Sequence, residues 1–383
     1  MLFRSEQIRA FIESDHKSFG NADINTVISI IQKPLNRPIL TQTINFLQLK
    51  KPFSSIAARI YEKISLLSEF HQLKDISTKI SITEENTFRL LVCSQKSIYE
   101  FNMNGNQSEN NSYEGYNWRN YYFVAPDFFF QLRAQFGHKV VFLKELAEIK
   151  RGITTNCNEY FGLKKIAENC YQNGFGNSFF LEPEVVSEFI MSPRQLDYPL
   201  MEFNKIGTYM FFTNQDMNNL LTKKYKNAIK YVEYGESVPI ILKKGATKGR
   251  MIKGVVNLAS FKQKYEKGKH PWYCLKPKKE EKKLQKKIII QKIYDDTYKI
   301  ALIEKPILVN NTFYELVLKP EFQGQETIII SLLFFALTVL SLELHGRTNF
   351  GGGALDTSVT DIENIMIDRK STRPNSSHRI RSR

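Results

Sequence analysis

Only four cysteines occur in 383 residues, Cys93, Cys157, Cys170 and Cys274, and none stands at a paired spacing. That argues against a zinc framework and against a disulfide-stapled domain, and it suits reduced thiols in a cytoplasm. A hydrophobic run long enough to span a bilayer, roughly 20 apolar residues, is also missing. The longest, Thr327 to Leu342, follows Glu326 and is closed by Glu343, His345 and Arg347. It reads as a buried core helix, with no membrane partner implied. No internal repeat is present. The length allows two or three domains, each with a proper core.

The charge is lopsided. The formal net charge is +15, yet residues 242–292 alone carry seventeen Lys/Arg against three Glu. Residues 368–383 add six Lys/Arg and one Asp, so the remainder is on balance acidic. Such a segment can face a polyanion, because each neutralised phosphate releases a counterion. A lysine-rich solvated surface is the other reading.

Apolar β-branched runs at Ile8 to Glu13 and Asn25 to Ile31 predict two short strands, closed by Pro34, Asn36, Arg37 and Pro38. An amphipathic helix is expected near Phe53 to Phe70 and a surface loop over Met103 to Asn111. Asp127 to Phe136 reads as a helix, with Asp127 as cap, Gly137 as stop, and Phe129, Leu132 and Phe136 on one face. Beyond about Val140, strands are expected at Thr208–Phe212, Lys286–Lys292 and Ile307–Leu318. Asn219 to Tyr234 reads as a helix burying Tyr225, Ala228, Ile229 and Val232. The whole is a mixed α/β chain.

The most informative stretch is Phe142 to Leu163, where an amphipathic run feeds Lys150-Arg151-Gly152 and then Thr154, Thr155, Asn156 and Asn158. Phe19-Gly-Asn-Ala-Asp-Ile-Asn-Thr-Val-Ile-Ser-Ile-Ile-Gln-Lys33 is a second signature. His345-Gly-Arg-Thr-Asn-Phe-Gly-Gly-Gly-Ala-Leu355 with Asp361 to Ile367 is a third. Together they resemble site-specific adenine DNA methyltransferases of restriction–modification systems, type IIG-like, with a TaqI-like C-terminal specificity domain. The resemblance implies an α/β fold: the C-terminal edge of a Rossmann-like methyltransferase sheet, then an α+β target-recognition domain. Residues 6–38 would end the catalytic domain, 39–139 connect, and 140–367 recognise DNA. Residues 1–5 and 368–383 are expected to be adapter-derived. Asp368-Arg-Lys-Ser-Thr-Arg373, Pro374-Asn-Ser-Ser-His378 and Leu2-Phe-Arg-Ser5 resemble translated sequencing adapters.

The family's Asn/Asp-Pro-Pro-Tyr loop and Gly-rich cofactor turn are absent, and no Pro-Pro pair occurs. Gly174-Phe-Gly-Asn177 lacks the preceding apolar strand such a turn needs. The chain is therefore expected not to methylate alone and not to bind S-adenosylmethionine, which belongs to the full-length enzyme. A missing N-terminal catalytic region and double-stranded DNA are the expected partners. Phe19 matches the family's aromatic that stacks on the extruded base, or else it anchors a strand core. Lys150, Arg151 and Gly152 fit a backbone-phosphate clamp, with Gly152 admitting the main chain to DNA and Thr154, Thr155 and Asn156 as short donors. Arg194 and Gln195, after Ser192-Pro193, are residue types that read guanine and adenine. Tyr231-Val-Glu-Tyr-Gly-Glu236, Lys243, Lys244, Lys248, Arg250 and Trp272 combine cations with rings suited to phosphate contact and stacking, unless the rings are core. Arg347, Gly351 and Gly352 lie in the closing segment, where the glycines either approach DNA or make a plain turn. A non-catalytic DNA-binding specificity subunit that partners a separate methyltransferase is the alternative. Such modules usually have two similar recognition units, and this chain shows no repeat.

Overall fold

A computed structural model describes residues 7–14, 27–33, 43–51, 81–98, 119–196, 207–242, 247–261, 271–275, 286–294, 297–347 and 354–368. The expected helix near Phe53 to Phe70, the loop Met103 to Asn111, Phe19 and most of both expected adapter segments lie outside them. The chain divides into two compact units, Met1–His138 and Lys139–Arg383.

The first unit is built on one five-stranded sheet. Its strands are β1 (Gln7–Ser14), β2 (Val27–Gln32), β3 (Thr43–Leu49), β4 (Ser81–Glu84) and β5 (Phe88–Ser94), in the order β2-β1-β3-β5-β4. Strand β1 pairs antiparallel with β2 and parallel with β3, so the sheet runs continuously across position 38. Phe88–Ser94 is buried at every position, as a strand covered on both faces requires. At the edge, Val27, Ile28, Ile30 and Ile31 are exposed. Helix α1 (Asp127–Phe136) has the predicted bounds. Its cap is Pro126, which offers no side-chain acceptor, and its buried residues are Phe129 and Phe130, while Phe136 is exposed. The Asp127 cap and the Phe129, Leu132, Phe136 stripe are thus corrected.

The second unit opens with β6 (Val140–Phe142), a single helical turn α2 (Leu143–Leu146), β7 (Ala147–Arg151) and a second turn α3 (Asn158–Phe161). Next come β8 (Gly162–Ala167), β9 (Cys170–Asn173), β10 (Ser178–Phe180), β11 (Val186–Ile190) and β12 (Thr208–Phe211). Helices α4 (Met217–Thr222) and α5 (Lys226–Ser237) lead into the hairpin β13 (Pro239–Ile241) and β14 (Met251–Lys253). The chain then forms β15 (Lys287–Gln291), β16 (Ile293–Tyr294), β17 (Ile300–Ile303), β18 (Leu308–Val309) and β19 (Phe313–Leu318). It closes with α6 (Glu326–Leu333), α7 (Ala336–His345), β20 (Leu355–Asp356), α8 (Val359–Glu363) and β21 (Met366–Asp368).

Two sheets organise this unit. One is four-stranded, β17-β15-β19-β7, and antiparallel throughout. The other is six-stranded, β10-β9-β8-β12-β11-β18. The unbroken run Ile288-Ile289-Ile290 is explained by cover on both sides of the first sheet. Ile288 and Ile290 join Ile329, Leu333 and Ile362 in one core, while Ile289 joins Ile190, Val309 and Phe313 in another. A third core, rich in aromatic rings, fills the space between the six-stranded sheet and α4 and α5.

Three expected elements are divided. Asn219 to Tyr234 is two helices, broken where Lys224 adopts φ +59°. Ile307 to Leu318 is two strands flanking Asn310-Asn311-Thr312. Thr327 to Leu342 is not one core helix. It bends by 65° between α6 and α7, and Ile328, Phe335 and Val339 are exposed. Among the described residues no single helix is long and apolar enough to cross a membrane.

Candidate nucleic-acid interface

The segment after β7 is held on one side by the turn that splits the expected strand. Gly152 N–H donates to Phe313 O (3.0 Å), Ile153 N–H to Val309 O (2.7 Å), and Asn311 N–H to Ile153 O (2.9 Å). The Asn311 side-chain amide then donates to Thr154 Oγ1 (3.1 Å). A Cβ at Gly152 would lie 2.2 Å from Asn310 O. The close approach that demands glycine here is to the chain's own backbone, which corrects the expectation that Gly152 admits DNA. Thr155 is buried and its hydroxyl donates to Asn158 Oδ1, so it serves the loop itself. Asn156 sits at φ +57°, a conformation asparagine tolerates, and its side chain is exposed. Arg151, Asn156 and Asn158 are the exposed side chains between 151 and 158.

This loop forms one wall of a cleft of about 760 Å³. Thr154 to Glu159 and Asn311 line the polar wall. Phe175, Leu258 and the strand Pro239 to Leu242 supply apolar surface. The hairpin bearing that strand extends past β13 and β14, because Leu242 N–H donates to Arg250 O (2.9 Å) and Gly249 N–H to Leu242 O (2.8 Å). Its base is seated by Gly254 (φ +83°), where a Cβ would lie 2.3 Å from Glu236 O. Lys248 and Arg250 are exposed near its tip, and Lys243 and Lys244 lie outside the described residues.

The other expected site residues are placed elsewhere. Lys150 is exposed on edge strand β7, paired with Glu148 at 2.9 Å, a surface ion pair of small worth. Arg194 is exposed in the turn Pro193–Gln195. Gln195 is engaged internally: its Oε1 accepts from Met191 and Ser192 N–H (2.8 and 2.9 Å), and its Nε2 donates to Thr208 Oγ1 (2.8 Å). Trp272 is 6% exposed, packs on Tyr160, Phe161 and Phe261, and donates Nε1–H to Glu236 Oε1 (3.1 Å). It is a core ring, so the stacking role is corrected. Gly235 explains the aromatic block around it, since a Cβ there would lie 2.5 Å from both Trp272 and Tyr160. Arg347 is exposed and bridges Asp356 through the backbone, while Gly351 and Gly352 lie outside the described residues.

Burial pushes the Tyr160 and Tyr231 phenols well up; Tyr231 adds to this at Tyr160, while Asn173 partly opposes it at Tyr231. Both therefore stay neutral donors. No group of three or more His, Cys, Asp or Glu among the described residues could hold a metal ion.

Sequence reasoning missed Asn311, which anchors the loop, and the apolar strand Pro239 to Leu242. The Asn310-Asn311 pair was a turn signal inside an apolar run, and Gly249 and Gly254 bracket the second hairpin strand.

No family model and no curated protein matches the chain. Among solved structures, the chain is similar to the type IIG restriction endonuclease BpuSI, with 11% identity over 96% of this chain and 37% of that one, at a TM-score of 0.32. It is also similar to the type IIL restriction-modification enzyme MmeI in complex with DNA, with 11% identity over 84% of this chain and 38% of that one, at a TM-score of 0.33. The chain thus spans less than two fifths of either protein, and both likenesses fall below the level at which a shared fold follows.

Proposed function

We propose that this chain reads a DNA target for a site-specific, S-adenosylmethionine-dependent adenine methyltransferase of a restriction–modification system. The observation that carries the reading is the juxtaposition at the cleft. A loop fixed by backbone hydrogen bonds, bearing exposed Asn156 and Asn158 and preceded by exposed Arg151 at the end of β7, faces a hairpin that opens the most cationic stretch of the sequence. Short polar side chains on a rigid loop suit base-edge or phosphate contacts, and the flanking lysines supply sequence-independent attraction. Methyl transfer belongs to a catalytic region bearing the Asn/Asp-Pro-Pro-Tyr loop, which this sequence lacks, and the cofactor is bound there.

The test is binding of the purified chain to random-sequence duplexes, followed by sequencing of the retained pool. A retained pool sharing a short motif, with affinity falling steeply as salt rises, supports the reading. Retention without enrichment removes target recognition, and no retention at low salt removes DNA binding altogether. Calorimetry with S-adenosylmethionine should give no heat of binding, and a saturable heat would place cofactor chemistry in this chain.

A further inference from the structure

The β13–β14 hairpin presents an apolar pair to solvent beside its cations. Ile241 and Met251 are register partners, so their side chains share one face, and they are 63% and 66% exposed. Pro239 and Lys253 are the next pair on that face, and both are exposed. The opposite face carries Ile240 and Ile252, of which Ile240 packs against the aromatic core. The hairpin therefore already has an inward apolar face, and the outward pair leaves most of its surface to solvent. Single exposed aliphatics are ordinary on protein surfaces. A directly opposed pair near a tip that carries Lys248 and Arg250, on a hairpin walling the cleft, is a different arrangement.

We propose that Ile241 and Met251 form a wedge that inserts at a base step of double-stranded DNA and partly unstacks it. The proposal rests on the DNA-reading function above and specifies how one side of the site engages the duplex. Charge complementarity selects the occupant. An apolar pair sharing its face with Lys253, on a hairpin whose far end carries Lys248 and Arg250, is repelled by a cationic partner and drawn to a polyanion whose interior is apolar. Apolar side chains of this kind enter base steps in architectural DNA-binding proteins, where the lost stacking is offset by contacts made to the deformed duplex. The glycine-seated base lets the hairpin act as a stiff lever, since Gly254 packs on Glu236 and its N–H donates to Val238 O (2.7 Å).

Unstacking untwists DNA, and untwisting can be read without knowing the target sequence. A relaxed closed-circular plasmid is incubated with the full chain and topoisomerase I, deproteinised, and its linking number measured. Duplex affinity is followed in parallel by fluorescence anisotropy. The wild-type chain should lower the linking number in proportion to bound protein. The double variant I241S/M251S should lose most of that shift when compared with wild type at equal amounts of bound protein. Both side chains face solvent, so an unchanged melting temperature verifies the fold. Binding without a linking-number shift, or a full shift with I241S/M251S, overturns the wedge while DNA binding stands. Failure to bind any duplex overturns both.

Discussion

Tyr160 and Tyr231 exchange hydrogen bonds: each phenol donates to the other's backbone carbonyl, at 3.1 Å from Tyr160 and 2.5 Å from Tyr231. Their rings stack at 4.7 Å with 14° between planes. The pair ties the turn after the polar loop to helix α5, so the loop's position depends on it. Removing either hydroxyl forfeits a buried hydrogen bond, which costs about 0.5–1.5 kcal/mol. Y160F and Y231F should each lower the urea midpoint. The double variant should fall short of the sum of the two, because the groups share one packed interface. Strict additivity would show that the two bonds act independently.

Gly152→Ala tests whether this glycine serves the fold. The added methyl meets Asn310 backbone, which cannot yield as a flexible side chain would. We expect a loss of about 1–3 kcal/mol from overpacking. The same change at Gly137, whose nearest neighbour is Arg133 Cγ at 3.7 Å, should be neutral or stabilise by about 0.4–1 kcal/mol. If G152A melts like wild type and loses DNA affinity alone, the glycine faces the ligand and the fold-based account is wrong.

These cases mark what the sequence could show. Asp127–Phe136 was legible because proline, acid and glycine punctuate it. The break at Lys224 was not, since lysine carries no signal for positive φ, and the bend at Phe334-Phe335 has neither proline nor glycine to announce it. There Leu332 O accepts from Phe335 N–H (3.1 Å) and also from the Thr338 hydroxyl (3.0 Å), so the bend keeps its carbonyl paired. At the candidate site, the sequence singled out Lys150 to Asn158, of which Thr154 to Asn158 line the cleft and Lys150 lies on β7, but residue type alone could not say where each side chain is used. Gln195 and Trp272 bear the chemistry of base contact and are consumed by the turn at Ser192 and by Glu236. The apolar pair at Ile241 and Met251 depends on hairpin register, which composition does not contain.

Alkaline stability up to about pH 12 should reflect a partly buried thiol and a buried phenol among the raised groups. Burial beside Asp216 pushes the Cys274 thiol up to about 12 from 9.0, and burial pushes the Tyr314 phenol up to about 12 from 10.0. A raised folded-state value means the folded protein holds the proton where the unfolded chain releases it. The contribution is whole below the unfolded values and is lost as pH climbs to the folded ones. The urea midpoint should therefore be insensitive to these groups below pH 9.0 and decline between there and about 12. C274S, lacking the thiol, should flatten the first part of that decline. A midpoint that rises over this window contradicts the raised values of both groups.

Salt dependence separates cations that touch phosphate from those that are merely exposed. Each phosphate neutralised contributes roughly −0.9 to the slope of log K against log salt for duplex DNA. Lys248 and Arg250 are exposed beside the cleft, and neither makes an ion pair that would compete with phosphate among those found in the described residues. K248A/R250A should thus weaken binding across all sequences and make the slope shallower by about 2. Lys150 already pairs with Glu148 and would have to give up that contact to meet a phosphate, so K150A should change the slope by less than one phosphate's worth. The ordering is what matters. If K150A flattens the slope more than K248A/R250A does, the duplex runs along strand β7 and leaves the hairpin free.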